Sequence, residues 1–123
     1  MEKTDAITAL AALAQESRLD IFRLLVQAGP EGMPAGQIGE CLALPSATLS
    51  FHLAQLRQAG LVGFRRDGRS LIYAATYPAM NALMAYLTEN CCRGDAAACS
   101  LDACLPANRE KHDEAPAPAY GRG

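Results

Sequence analysis

Four cysteines, Cys91, Cys92, Cys99 and Cys104, fall within fourteen residues, and the other 109 residues hold one, Cys41. Thiolates are the ligands that soft, thiophilic ions select. The adjacency of Cys91 and Cys92 brings two sulfurs together at almost no cost in loop closure. Gly94 and the alanines 96–98 leave the chain between Cys92 and Cys99 free to bend around an ion. Three thiolates from Cys91, Cys92 and Cys99 suit a pyramidal three-coordinate centre such as trivalent arsenic. Cys104 is an alternative third ligand, or a fourth that would complete a zinc tetrahedron. Oxidation of Cys92 with Cys99 is a further chemistry open to such thiols. Cys41 stands alone and reads as a small core residue. The two histidines, His52 and His112, belong to no nucleophile–base–acid arrangement, so no enzyme is expected.

A second constellation lies upstream. The formal net charge of the chain is −2, yet its distribution is uneven. Residues 1–45 carry −3, whereas residues 46–75 carry +3, from Arg57, Arg65, Arg66 and Arg69 against Asp67. Local positive charge is what meets a phosphate backbone. Within this stretch Ser46, Thr48, Ser50, Phe51 and Gln55 lie off the apolar row Leu49, Leu53 and Leu56. Hydroxyls and amides so placed can read base edges or bond phosphates.

These residues need elements to position them. Residues 6–14 read as a helix with Asp5 as cap and Ile7, Leu10 and Ala14 on one face. Ser17 and Asp20 form a capping-box pattern that opens a second helix, which Gly29-Pro30 closes. A third, short helix runs from Pro34 to about Leu42, with Ile38 and Leu42 facing inward. Ser46 caps a fourth, which Gly60 ends. Periodicity then changes from helical to extended. LVGFRR and SLIYAA read as strands joined through Asp67-Gly68, a strong hairpin signal that leaves Arg65, Arg66 and Arg69 flanking its tip. A last helix spans about Pro78 to Thr88. It has no charge, and Met80, Leu83, Met84 and Leu87 lie at helical spacing. Tyr77, Met80, Met84, Tyr86 and Leu87 cannot all face one core, so a subunit interface is expected. The order helix, turn, helix, basic hairpin is that of a winged helix-turn-helix, a mainly α fold with a small β wing whose second helix enters the major groove.

The runs ESRLDIFRLL and PSATLSFHLAQLRQAGLVGFRRDGRSLIYAA carry a more specific likeness. Ser50, His52, Leu53, Leu56, Ala59, Gly60, Leu61 and Val62 reproduce an S-x-H-L-x-x-L-x-x-A-G-L-V core, and over roughly residues 5–88 the chain resembles the ArsR family of bacterial metalloregulatory repressors. The resemblance implies a homodimer packed through its first and last helices, bound to palindromic operator DNA and released by a metal or metalloid. It also places His52 in the recognition helix. A C-x-C arsenite site on the preceding helix would fall at Pro34, Ala35 and Gly36, which lack cysteine. The last helix lacks the Asp and His of zinc and nickel sensors. What is left is similar to the branch with a Cys-Cys pair and a later Cys beyond the last helix. That branch implies repression of an arsenic-resistance operon, with As(III) as inducer and Sb(III) or methylarsenite as related ligands. The alternatives are a thiol-redox sensor or a Zn/Cd sensor on the same fold.

The length bounds the organisation. We expect a DNA-binding and dimerisation domain over residues 1–88, a metalloid-binding segment over 89–105, and a disordered tail over 106–123, rich in Pro, Ala and charge. No apolar run approaches the roughly 18 residues of a membrane span. The N-terminus lacks a basic, cleavable leader, so a cytoplasmic location is expected.

Overall fold

Residues 1–94 are described by the computed structural model. They form two units, Met1–Leu87 and the segment from Thr88. In the first unit the elements are α1 (Lys3–Leu13), α2 (Glu16–Ala28), β1 (Met33–Pro34), α3 (Ala35–Leu42), α4 (Ser46–Gln58), β2 (Val62–Asp67), β3 (Ser70–Ala75) and α5 (Tyr77–Leu87). The second contains a short 3-10 turn at Cys91–Gly94.

Alanine sets the first contact. Ala6, Ala9 and Ala12 form the buried face of α1, while Ile7 and Leu10, which share another face, are exposed. Side chains this small let α1 lie close against α2, α4 and α5, and a helix packed that closely has no room for larger groups on the contact face. Asp5 does serve the helix start, but from inside it. The Asp5 carboxylate accepts from the Glu2 backbone N–H, and Glu2 is the cap.

Two other caps differ from expectation. Gln15, not Ser17, caps α2, its side chain accepting from the Arg18 N–H at 2.9 Å. Pro45, not Ser46, precedes α4. Its carbonyl already accepts from the Leu49 N–H at 2.9 Å, so Ser46 is the first helical residue. The end of α4 follows the sequence reading. Gly60 has φ +79°, the Gly60 N–H donates to Arg57, and the Leu61 N–H donates back to Leu56. This is a Schellman closure, with Leu56 and Leu61 both buried beneath it.

The core gathers Ile21, Phe22 and Leu25 of α2, Ile38 of α3, Leu49, Leu53 and Leu56 of α4, Val62 and Tyr73 of the wing, and Leu83 of α5. Tyr77 opens α5, and its hydroxyl donates to the Val26 carbonyl at 3.0 Å, satisfying one of the acceptors at the end of α2. Cys41, expected in the core, is exposed on α3. The short α3 buries a single residue, Ile38, and Cys41 lies off that line.

β2 and β3 pair antiparallel from Val62↔Ala75 to Asp67↔Ser70, so the turn is Gly68-Arg69 rather than Asp67-Gly68. Of the two, only Gly68 has a left-handed φ, +64°, which matches a type II′ hairpin turn. A third strand joins that the sequence did not reveal. Met33 and Pro34 of β1 pair with Tyr73 and Ile72, giving the order β1-β3-β2. Two residues are too short to show a period, and proline is tolerated because β1 is an edge. The approach of β1 depends on Gly32, whose φ is +78° and where a Cβ would run into the Tyr73 carbonyl.

Gly32→Ala is therefore expected to lower stability by more than about 1 kcal/mol. Gly36→Ala, in α3 with open space around it, should be neutral or stabilising by up to about 1 kcal/mol. Denaturant midpoints of the two variants, compared at unchanged m-value, check this contrast.

Candidate nucleic-acid interface and thiol pair

α4 has two faces of opposite character. Leu49, Leu53 and Leu56 are buried, and Ser46, Thr48, Ser50, Phe51 and Arg57 are exposed, with Gln55 half-buried between them. His52 separates from the other candidate contacts, because its ring is turned inward and only 9% exposed.

What His52 meets is Arg18, a residue that the sequence reading left without a role. The Arg18 Nε donates to the Ala12 carbonyl at 2.7 Å, and its Nη1 lies 3.3 Å from His52 Nδ1. A guanidinium only donates, so Nδ1 accepts and the ring proton sits on Nε2. Burial and then the Arg18 charge hold the His52 pKa below its ordinary value of 6.5. The edge of this ring meets Phe51, centroids 5.6 Å apart. Arg18 and His52 are thirty-four positions apart, and no sequence pattern links them.

The wing arginines divide. Arg65 Nη1 donates to the Glu31 carbonyl at 3.1 Å, tying β2 to the loop before β1. Arg66 and Arg69 are exposed at the hairpin end. Arg57, at the end of α4, lies over the Phe64 ring of β2 at 4.7 Å from its centroid, a cation–π contact. The Phe64 ring in turn meets Tyr73 across the strand pair at 5.5 Å. Phe64 escaped the sequence reading, although an aromatic in a basic strand is a usable signal. The arrangement presents a polar helix face beside a basic hairpin, with Arg57 at their junction.

Of the proposed thiol ligands, Cys91 and Cys92 are both exposed, and their sulfurs lie 3.4 Å apart. Asn90, Cys92 and Arg93 all have left-handed φ values between 55° and 59°, an unusual run for residues with a Cβ. Cys99, Cys104, His112 and the tail over 106–123 lie outside the described residues. Among the described residues no group of three His, Cys, Asp or Glu side chains is placed to hold a metal ion. Apolar side chains are also exposed on the first and last helices, Ile7 and Leu10 of α1 and Met84 and Leu87 of α5. Met84 also lines a groove of about 460 Å³ with Leu19, Phe22, Val26 and Leu83. Among the described residues no helix is long and apolar enough to cross a membrane.

Residues 13–62 match the model of a helix-turn-helix domain. The transcriptional activator HlyU of Vibrio cholerae is 31% identical over 97 residues, 77% of this chain and 87% of that protein. Its solved structure aligns with a TM-score of 0.57 at 35% identity, covering 71% of this chain and 97% of HlyU. HlyU is also solved in a form described as reduced, with TM-score 0.57 and 29% identity over 72% of this chain and 90% of HlyU. An ArsR of Halobacterium salinarum, provisionally named as an arsenical resistance operon repressor, is 39% identical over 67 residues, 54% of this chain and 51% of its own length. A Mycobacterium bovis domain aligns with TM-score 0.57 at 25% identity, over 76% of this chain and 86% of that domain. It is described as a homodimeric winged helix-turn-helix DNA-binding domain of a possible ArsR-family regulator.

The contact between His52 and Arg18 has a consequence for pH. An unfolded chain takes up a proton at His52 near 6.5, and the folded chain does so only at lower pH. Stability thus holds above about pH 6.5 and falls as the pH drops below it. His52→Gln keeps an acceptor for Arg18 and should remove this part of the loss. The check is the denaturant midpoint at pH 7.5 and 5.5, where the variant should lose less than the parent.

Proposed function

The chain belongs to the ArsR family of helix-turn-helix transcriptional regulators, and from that premise we propose that it is a homodimeric repressor released from operator DNA when As(III) binds cysteine thiolates. The observation that carries the inducer is the Cys91–Cys92 pair, exposed with its sulfurs 3.4 Å apart. Two adjacent, exposed thiols already this close can converge on one soft, thiophilic ion. Cys99 is the third ligand in this reading, with Cys104 as its substitute, and the relative named for an arsenical resistance operon gives independent support. Sb(III) and methylarsenite share the same thiophilic chemistry.

On the DNA side, Ser46, Thr48, Ser50 and Gln55 of α4 bond base edges or phosphates, and Arg57, Arg66 and Arg69 neutralise phosphates. His52 serves from behind, by fixing the helix. Arg65 shares its guanidinium between DNA and the Glu31 carbonyl. Dimerisation uses the exposed apolar residues of α1 and α5, and the homodimeric M. bovis domain supports it. Only three residues separate the last residue of α5 from Cys91. Closing a thiolate site there would strain the end of the dimerisation helix and alter the spacing of the two recognition helices. Arsenic releases DNA to the extent that it binds the DNA-free form more tightly. In a cell the protein would act in the cytoplasm.

A second reading, a thiol-redox switch, draws on the exposure of the same two sulfurs and on the reduced form solved for HlyU. Peroxide in place of arsenite separates the two.

Cys91→Ser and Cys92→Ser should each abolish arsenite-induced release, measured by fluorescence anisotropy on operator DNA, while leaving DNA affinity intact. If both respond to arsenite as the parent does, the sensing site lies elsewhere. Arg66→Ala and Arg69→Ala should weaken binding to every sequence and each reduce the salt slope by about one. Met84→Glu should give a folded monomer at micromolar concentration by light scattering, because Met84 is 58% exposed and outside the core.

A further inference from the structure

We infer that Phe51 is the specificity-determining contact of α4, and that it reads the 5-methyl group of a thymine in the major groove. The inference rests on the DNA-binding reading above and adds the chemistry of the base. With 3.6 residues per turn, the line directly opposite the buried Leu49, His52, Leu53 and Leu56 runs through Ala47, Phe51, Ala54 and Gln58. All four are exposed. The crest that goes deepest into a groove is thus a methyl, a phenyl, a methyl and only then an amide. The hydrogen-bonding side chains Ser50, Thr48 and Gln55 lie to either side of it.

A phenyl ring 57% exposed on a short polar helix is costly in water unless something covers it. Its neighbours say what. The helix contains no acidic residue, Arg57 lies at its far end, and the basic hairpin stands beside it. An apolar crest beside a cationic patch fits duplex DNA, where base edges lie alongside phosphate rows. In the major groove every base presents a donor or an acceptor that a phenyl leaves unpaired, thymine its O4. Thymine adds a methyl group, which Phe and Ala side chains can cover. The ring also meets His52, which is itself bonded to Arg18 through Nδ1, and that contact favours one placement of the phenyl.

The test starts from a library of duplexes randomised over 30 base pairs, from which the full-length protein selects its binding site. Each thymine in the selected site is then replaced by deoxyuridine, together with its symmetry mate, which removes the methyl and nothing else. At one position the parent should bind deoxyuridine about fourfold more weakly per methyl lost. Phe51→Ala should bind the thymine and deoxyuridine duplexes equally, and Phe51→Leu should retain part of the preference. Circular dichroism confirms that the variants are folded, as expected for an exposed side chain. The inference is overturned if the parent is indifferent to every deoxyuridine, or if Phe51→Ala discriminates as the parent does. Recovery of no duplex at all overturns the DNA-binding reading itself.

Discussion

The side chain of Arg18 joins three helices through two contacts. From α2 it reaches the Ala12 carbonyl at the end of α1 and the His52 ring in α4. The Ala12 carbonyl belongs to the last turn of α1, where acceptors have no partner within the helix. The His52 ring is polar and buried, and would cost stability unless bonded. One guanidinium meets both needs, and in doing so fixes the rotation of α4 about its axis. That rotation decides which residues form the outer crest. Phe51, whose ring meets the same imidazole, is the exposed end of a chain of contacts that begins at α1.

The wing is anchored by comparable means. Arg57 over Phe64, Phe64 against Tyr73, and Arg65 on the Glu31 carbonyl join α4, both strands of the hairpin and the loop before β1. Two of the four cations in the positive stretch therefore also hold the interface in shape. Arg66 and Arg69 extend to the exposed end of the hairpin. A basic surface built this way keeps its form without a ligand.

The elements most legible in the sequence were those whose pattern is local. The leucines of α4 recur at helical spacing, Gly60 closes the helix, and the strands flank a glycine turn, so the winged architecture could be read directly. Less legible were features set by neighbours. The inner face of α1 went to alanine because close packing outweighed the greater hydrophobicity of Ile7 and Leu10. Cys41 is exposed because α3 is short and buries one residue, which no property of cysteine reveals. β1 exists because Gly32 lets two residues approach β3. The His52–Arg18 contact spans thirty-four positions and leaves no periodic trace. At the thiol site, the sequence shows the cysteines and the structure adds the sulfur spacing of one pair.

The Schellman closure after α4 reaches beyond its own turn. It leaves only Ala59, Gly60 and Leu61 between the last turn of the helix and the first residue of β2, all held by backbone bonds over a buried leucine pair. Helix and wing are welded into one caliper with a fixed opening. So short a bonded link is a poor place for a hinge between helix and wing. Under the proposed function, a signal that frees this reading head from DNA would act at a joint outside it, by changing how whole heads are spaced. A substitution inside the weld would then alter affinity and leave the response to the signal unchanged.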